Sequence, residues 1–313
     1  MPRLSAFAVL AVIAFAQLAS SASAQTPVVS DASARQVTAL AGTIVWVSGT
    51  PGQRQTLWQR TSSGARRVTG SAPARFYRSI DLGRDRRGSL VLTYLRCASV
   101  SRCAVRRDDL YGRRASLPGL VPRGCSLSTA PALWRSRAAY GLACTTGNRF
   151  DARRSGVHVK TGSRSPRRMP PPRDAVRFGA SEVSSVDLRG RRVASILSDI
   201  YAFAVSQDVD GTAIRSFLAA ASEGESDQHA VGLGLGAGDV LWSLTDAEHA
   251  GDPLEAVINR LTGDCREFQV LTSAPDEQTF PAVDLAVDGR AVYLVVPGAG
   301  IIRHEFAADT PCR

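Results

Sequence analysis

The stretch AVDLAVDGRAVYLVV, from Ala282 to Val296, decides the fold. It contains two short apolar runs separated by Asp288-Gly289, a dipeptide with the backbone freedom that a tight hairpin turn needs. The pattern predicts a strand, a turn and a second strand that carries Val292, Tyr293 and Leu294.

Five other stretches repeat this order of apolar run, turn rich in Gly, Arg or Asp, and second apolar run. They are VTALAGTIVWVSG from Val37, SIDLGRDRRGSLVLTYL from Ser79, SLSTAPALWRSRAAYGLA from Ser126, SVDLRGRRVASIL from Ser185 and AVGLGLGAGDVLWSL from Ala230. Alignment of the second runs places Trp46, Leu92, Tyr140, Ser195, Trp242 and Tyr293 in register, at spacings of 46 to 55 residues. Repeats of this length are typical of four-stranded propeller blades. We therefore predict an all-β chain, a six-bladed β-propeller of four-stranded antiparallel blades.

The first 24 residues have the pattern of a secretory signal peptide. Arg3 is the charged region, Leu4 to Leu18 is the apolar segment, and Ala22-Ser23-Ala24 is a small-residue cleavage site. We expect a secreted protein, periplasmic if the source has an outer membrane, with one propeller domain over residues 25–313. No later run is long enough to predict a membrane span. The fourth strand of the last blade could lie at the C-terminus or could come from Pro27-Val28-Val29.

Six cysteines follow the signal, which is an even number in an oxidising compartment. Hairpin geometry predicts two bridges, Cys97–Cys103 around a turn in blade 2 and Cys125–Cys144 at the open end of the blade 3 hairpin. Cys265–Cys312 follows by elimination.

Two hairpins, DLAVDGRAVYLVV and DLGRDRRGSLVLTYLRC, resemble the blade motif of TolB-like and WD40-like secreted bacterial propellers. The run LRC…RC…RRDDLYGRRASLPG also resembles uncharacterised secreted propellers of actinobacteria. The resemblance covers most of residues 37–306. It implies a binding platform and no particular reaction.

Charge is distributed unevenly along the chain. Residues 1–180 hold 29 of the 38 basic residues and 7 of the 28 acidic ones. Because chain order follows the ring of a propeller, blades 1–3 should form a basic half. Eight arginines in the turns between first and second strands should lie on one face without acidic interruption and bind an anion. They are Arg84, Arg86, Arg87, Arg135, Arg137, Arg189, Arg191 and Arg192. The Arg-rich stretch 149–177 is interpreted as an extra loop.

Motifs for metals and cofactors are weak. The run from Gly232 to Ala237 matches a dinucleotide-binding pattern, but a strand follows it where that motif needs a helix. Asp208 and Asp210 are too few acids for a calcium loop, and no two histidines have ligand spacing. The sequence predicts no cofactor, no metal and no catalytic motif.

Two functional hypotheses remain. The first is a monomeric, non-enzymatic scaffold that binds an anionic cell-wall polymer or an acidic protein, with no nucleic acid, since aromatic stacking positions among the arginines are lacking. The alternative is an extracellular hydrolase or lyase that acts on a polysaccharide or ester at the central channel. It would use Asp81, Asp187 and Asp284, which recur on the first strands of blades 2, 4 and 6 and could also cap strand ends.

Overall fold

A computed structural model describes residues 27–309 except 70, 72, 100–101, 112–113, 116, 118, 223–225, 250–252 and 274–278. The expected signal peptide, residues 1–24, lies outside the described residues. The described chain is almost entirely β-structure, with a short helix α1 (Arg173–Arg177) and a 3-10 turn at Ala237–Asp239.

Strands follow one another as hairpins along the chain. They are β1 (Pro27–Val29), β2 (Ala34–Leu40), β3 (Thr43–Ser48), β4 (Thr56–Thr61), β5 (Gly64–Arg67), β6 (Phe76–Arg84), β7 (Leu90–Ser99), β8 (Arg102–Asp108), β9 (Arg114–Ala115), β10 (Cys125–Leu127), β11 (Ala132–Trp134), β12 (Arg137–Thr146), β13 (Arg149–Phe150), β14 (Gly156–Thr161), β15 (Arg167–Arg168), β16 (Glu182–Arg189), β17 (Arg192–Ser198), β18 (Tyr201–Asp208), β19 (Arg215–Ala221), β20 (Ser226–Leu235), β21 (Leu241–His249), β22 (Glu255–Thr262), β23 (Cys265–Thr272), β24 (Asp284–Asp288), β25 (Ala291–Val296) and β26 (Gly300–His304).

Four of the sheets contain four strands each, and all their pairings are antiparallel. Their orders are β2-β3-β4-β5, β16-β17-β18-β19, β20-β21-β22-β23 and β24-β25-β26-β1. A ten-stranded sheet contains the remaining strands. It consists of β6-β7-β8-β9 and a group formed by β10, β11, β12, β13, β14 and β15, joined by one parallel bridge between Trp134 and Arg84. Counted apart, these two halves bring the number of blades among the described residues to six.

Contacts between inner strands confirm the propeller. The inner strand of each blade touches that of the next, from β2 to β6, β11, β16, β20 and β24 and back to β2. The buried apolar residues form clusters that each lie between two neighbouring blades. Each blade is thus covered on both faces by its neighbours, as stacked blades must be. We number the blades 1 to 6 from β2 onward.

The N-terminal strand completes the last blade. β1 pairs antiparallel with β26, with Val29 opposite Ile301. This is the second of the two closures considered for the sequence, and it covers an edge that would otherwise be open to pairing with other chains.

Two of the expected disulfides are present. Cys97 bonds to Cys103 across the β7–β8 turn, and Cys125 bonds to Cys144 between β10 and β12. The third, Cys265–Cys312, involves Cys312, which lies outside the described residues.

The glycine-rich run at Gly232 belongs to the inner strand of blade 5, as expected. A Cβ on Gly234 would lie 2.7 Å from Val287 Cγ2 of blade 6. These glycines therefore allow two inner strands to approach, and they do not form a nucleotide loop. The interpretation of residues 149–177 as an extra loop was wrong, because this stretch contains β14 and β15, the outer strands of blade 3.

Candidate anion-binding site

The turns between first and second strands all lie on one face, which we call the turn face. Neighbouring turns are hydrogen-bonded to each other. Arg135 N donates to Arg84 O at 2.8 Å, and Ala237 N donates to Gly289 O at 2.7 Å. Asp288 accepts the N–H groups of Ala41 and Gly42 from the next blade. The arginines of these turns are therefore presented toward a common side.

A cavity of about 460 Å³ opens on this face between blades 2 and 3, and we call it the basic pocket. Of the described residues, six with cationic side chains and one with a carboxylate line it: Arg86, Arg87, Arg107, Arg135, Arg137, Lys160 and Asp85. Its apolar wall includes Leu120, Leu133 and Ala138, which are buried. A cationic rim around an apolar wall favours an anion that also carries nonpolar surface.

The blade 2 turn holds two arginines outward. Asp85 accepts hydrogen bonds from the backbone N–H groups of Arg87 and Ser89, both at 2.9 Å, and this orders the turn. Arg86 and Arg87 are exposed. Asp85 also lies 3.7 Å from Arg107, so the arc of arginines has an acidic interruption. Arg135, in the blade 3 turn, is exposed as well.

Two further turn arginines are half-buried and hold blades together. Arg84 donates to Gly88 O at 2.7 Å and lies over the Trp134 ring. Arg137 donates to Gly190 O of blade 4 at 3.0 Å. Arg137 still reaches the basic pocket, whereas Arg84 does not line it.

The three arginines of the blade 4 turn are engaged elsewhere. Arg192 is 5% exposed and donates to Ser206, Asp208 and Ala213 within its own blade. Arg191 pairs with Asp210 at 3.1 Å. The basic pocket therefore gathers four of the eight predicted arginines, from the turns of blades 2 and 3, and leaves out Arg84 and the three of blade 4.

Arg189 lies across the end of the central channel. Its guanidinium donates to Ala39 O of blade 1 at 3.1 Å and to Leu82 O of blade 2 at 3.2 Å. Its Nε lies 3.4 Å from Asp187 Oδ1. One side chain thus connects blade 4 with two blades on the other side of the ring and closes the channel at the turn face.

Two residues of the basic pocket were missed by the sequence analysis. Arg107 comes from β8 and Lys160 from β14, which are third strands. Lys160, the only lysine of the chain, donates to Gly119 O at 3.3 Å. The strand topology could have indicated both residues. The end of a third strand lies beside the turn that joins the first two, because neighbouring strands are antiparallel.

Asp81, Asp187 and Asp284 all line the channel. Each accepts a backbone N–H from the inner strand of the following blade: Leu133, Leu235 and Val37 respectively. Burial, and to a smaller extent the nearby Asp187 carboxylate, raise the pKa of Asp81 to about 8. Burial also raises the pKa of Asp284 to about 7. Each of the three carboxylates therefore links its own blade to the next one. This role is similar to the strand capping that the sequence suggested for them.

Groups of three or more metal-ligating side chains are not found among the described residues. In the same part of the chain, no helix is long and apolar enough to cross a membrane.

No protein-family model and no curated protein matches this chain. Solved structures of similar shape include a virginiamycin B lyase from Staphylococcus aureus, at 12% identity and a TM-score of 0.48, over 89% of this chain and 96% of that one. A six-bladed β-propeller lectin from Aleuria aurantia matches at 10% identity and 0.48, over 89% and 97%. The propeller domain of the Trilobed protease from Pyrococcus furiosus matches at 11% and 0.48, over 89% and 82%. Similarities this distant carry no information about function.

Proposed function

We propose that this propeller is a non-enzymatic binding protein that holds an anionic polymer at the basic pocket between blades 2 and 3. The observation that carries the proposal is the convergence of six cationic side chains, from two turns and two third strands, on one cavity where the described residues place one carboxylate, that of Asp85. Guanidinium groups bind phosphate and carboxylate oxygens through paired hydrogen bonds. An acidic protein is the other partner expected from the sequence.

The setting we propose is outside the cell. The N-terminal pattern favours secretion, and the two disulfides are of a kind that persists in oxidising compartments. Anionic wall polymers would be available to the turn face there.

The alternative of a hydrolase or lyase at the channel has weaker support. Its three carboxylates do line one cavity, as the hypothesis needs. However, each is already hydrogen-bonded to backbone N–H groups that connect neighbouring blades. A carboxylate held in this way stabilises the contact between two blades, and we propose no reaction for it.

The test uses polyphosphate and matched variants. The pocket variant lacks three exposed charges of the basic pocket, through the substitutions Arg86→Ser, Arg87→Ser and Arg135→Ser. The control variant lacks three exposed charges outside the pocket, through the substitutions Arg153→Ser, Arg164→Ser and Arg173→Ser. Within the described part of the chain, none of these six side chains makes a hydrogen bond or an ion pair, so melting temperatures should stay close to wild type.

We expect the pocket variant to lose most of its affinity for polyphosphate at physiological salt, while the control keeps it. Bound counterions are released as phosphate contacts form, so the slope of log affinity against log salt should flatten by about two to three in the pocket variant. Equal losses in the two variants would mean that net charge, and not the basic pocket, binds the polymer.

A further inference from the structure

The channel is a cup that opens on the face opposite the turns. It has a volume of about 430 Å³, and residues of all six blades line it. Arg189 closes its far end through bonds to Ala39 O and Leu82 O. A cavity of this size, open at one end and lined by rigid inner strands, can enclose a small ligand.

The wall of the cup is chemically asymmetric. Arg35 and Arg78 lie at its mouth on blades 1 and 2, and Arg78 is exposed. Blade 4 contributes the hydroxyls of Ser184 and Ser185, and blades 5 and 6 contribute apolar side chains such as Val231 and Val283. Among the described residues, the mouth therefore offers a site for an anionic group on the side of blades 1 and 2.

The deep part of the cup holds buried carboxyl groups, with the Arg189 guanidinium at its closed end. Asp81 is 7% exposed, and burial raises the pKa of both Asp81 and Asp284. The Arg189 guanidinium acts on Asp81 and lowers its pKa, but no ion pair within 4 Å of either carboxylate is found among the described residues. A buried carboxylate gains most from a cation, because attraction between charges is strong where water is excluded.

Two polar atoms of the wall lack partners in the described part of the chain. Gln36 Oε1 and Ser128 Oγ are buried, and neither makes a hydrogen bond there. Both residues line the cup. Gln36 Oε1 accepts hydrogen bonds only, and Ser128 Oγ can donate or accept. These atoms suit a ligand with N–H and C=O groups along its length.

We propose that the channel cup binds a short peptide with free termini, its ammonium group toward Asp81 and Asp284 and its carboxylate at Arg35 and Arg78. The distance from mouth to floor sets its length. Arg78 and Asp81 are three positions apart on one strand, which corresponds to roughly 10 Å. An extended chain of three residues spans about the same distance. The proposal concerns the face opposite the basic pocket and stands apart from the proposed polymer binding.

The probe is triglycine, compared with N-acetyl-triglycine, which lacks the ammonium group, and triglycine amide, which lacks the carboxylate. Isothermal titration calorimetry of the full chain should show triglycine binding, with each blocked peptide weaker by at least about tenfold. Equal affinity for all three peptides would overturn the proposal. Absence of triglycine binding up to about 10 mM, beyond the range of weak specific sites, would overturn it too.

Variants separate the site from ring stability. Asp284→Asn and Arg78→Gln should each lower triglycine affinity by at least about tenfold. The matched control is Asp288→Asn. Asp288 also bonds backbone N–H groups of blade 1 from blade 6, but it does not line the cup. Triglycine affinity should survive in this control. A loss as large as in Asp284→Asn would refute direct recognition by Asp284.

Discussion

Replacement of Arg189 by methionine tests how the ring is held together. The substitution keeps an unbranched side chain but removes the guanidinium. Two charged hydrogen bonds are lost, to Ala39 O at 3.1 Å and Leu82 O at 3.2 Å, together with the 3.4 Å ion pair to Asp187. The Arg189 side chain is only 15% exposed, so solvent screens these interactions weakly.

The expected cost follows from these contacts. Hydrogen bonds to charged groups contribute about 1.5–3 kcal/mol each, and loss of one partner of a buried ion pair costs about 3–5 kcal/mol. Since these values overlap for one side chain, we expect the free energy of unfolding to fall by about 3–5 kcal/mol. At about 2 °C per kcal/mol in a chain of this size, the melting temperature should fall by roughly 6–10 °C.

The assay is thermal unfolding followed by circular dichroism, with Arg191→Met as the control. Arg191 lies two positions after Arg189, but its ion pair with Asp210 is exposed, with side chains 65% and 48% accessible. Exposed pairs contribute about 0–1 kcal/mol, so the control should melt near wild type. Equal melting temperatures of the two variants would show that the Arg189 bonds to blades 1 and 2 do not hold the ring together.

Two further predictions concern the channel and the ring closure. Because burial raises the pKa of Asp81 to about 8 and of Asp284 to about 7, the folded chain keeps protons that the unfolded chain releases near pH 3.8. The free energy of unfolding should therefore gain a contribution as pH falls from about 8 to about 4. The double variant Asp81→Asn, Asp284→Asn should lack this contribution in urea titrations at several pH values, and an unchanged pH dependence would contradict it. Val29→Asp tests the ring closure, because it places a charge at a position that is 6% exposed and lies opposite Ile301. It should lower the free energy of unfolding by at least about 3 kcal/mol. Ser30→Asp, at an exposed position, should change it little in the same titrations.

The hairpins and two disulfides could be predicted because their signals are local. Asp288-Gly289 marks a turn, and Cys125 and Cys144 are placed opposite each other by the hairpin register. The outer strands of blade 3 were missed because β14 and β15 are short and lie in an Arg- and Pro-rich stretch. Their pairing with β12 and with each other, rather than their own pattern, makes them strands.

The position of Arg189 illustrates a signal that was present but unused. Side chains alternate along a strand, so Asp187 and Arg189 share one face of β16. Since Asp187 was considered for the channel, Arg189 could have been placed there as well. In contrast, the convergence of Arg107 and Lys160 on the basic pocket depends on how blades 2 and 3 pack, and spacing along the chain does not reveal it.

The most direct test of the anionic-polymer proposal is protection of individual arginines from phenylglyoxal, an arginine-selective reagent, with and without polyphosphate. Peptide mass spectrometry would report the modification rate of each exposed side chain in the unaltered protein. We expect polyphosphate to slow modification of Arg86, Arg87 and Arg135 and to leave Arg153, Arg164 and Arg173 unchanged. Protection of the second group without the first, or equal protection of both, would contradict binding at the pocket between blades 2 and 3.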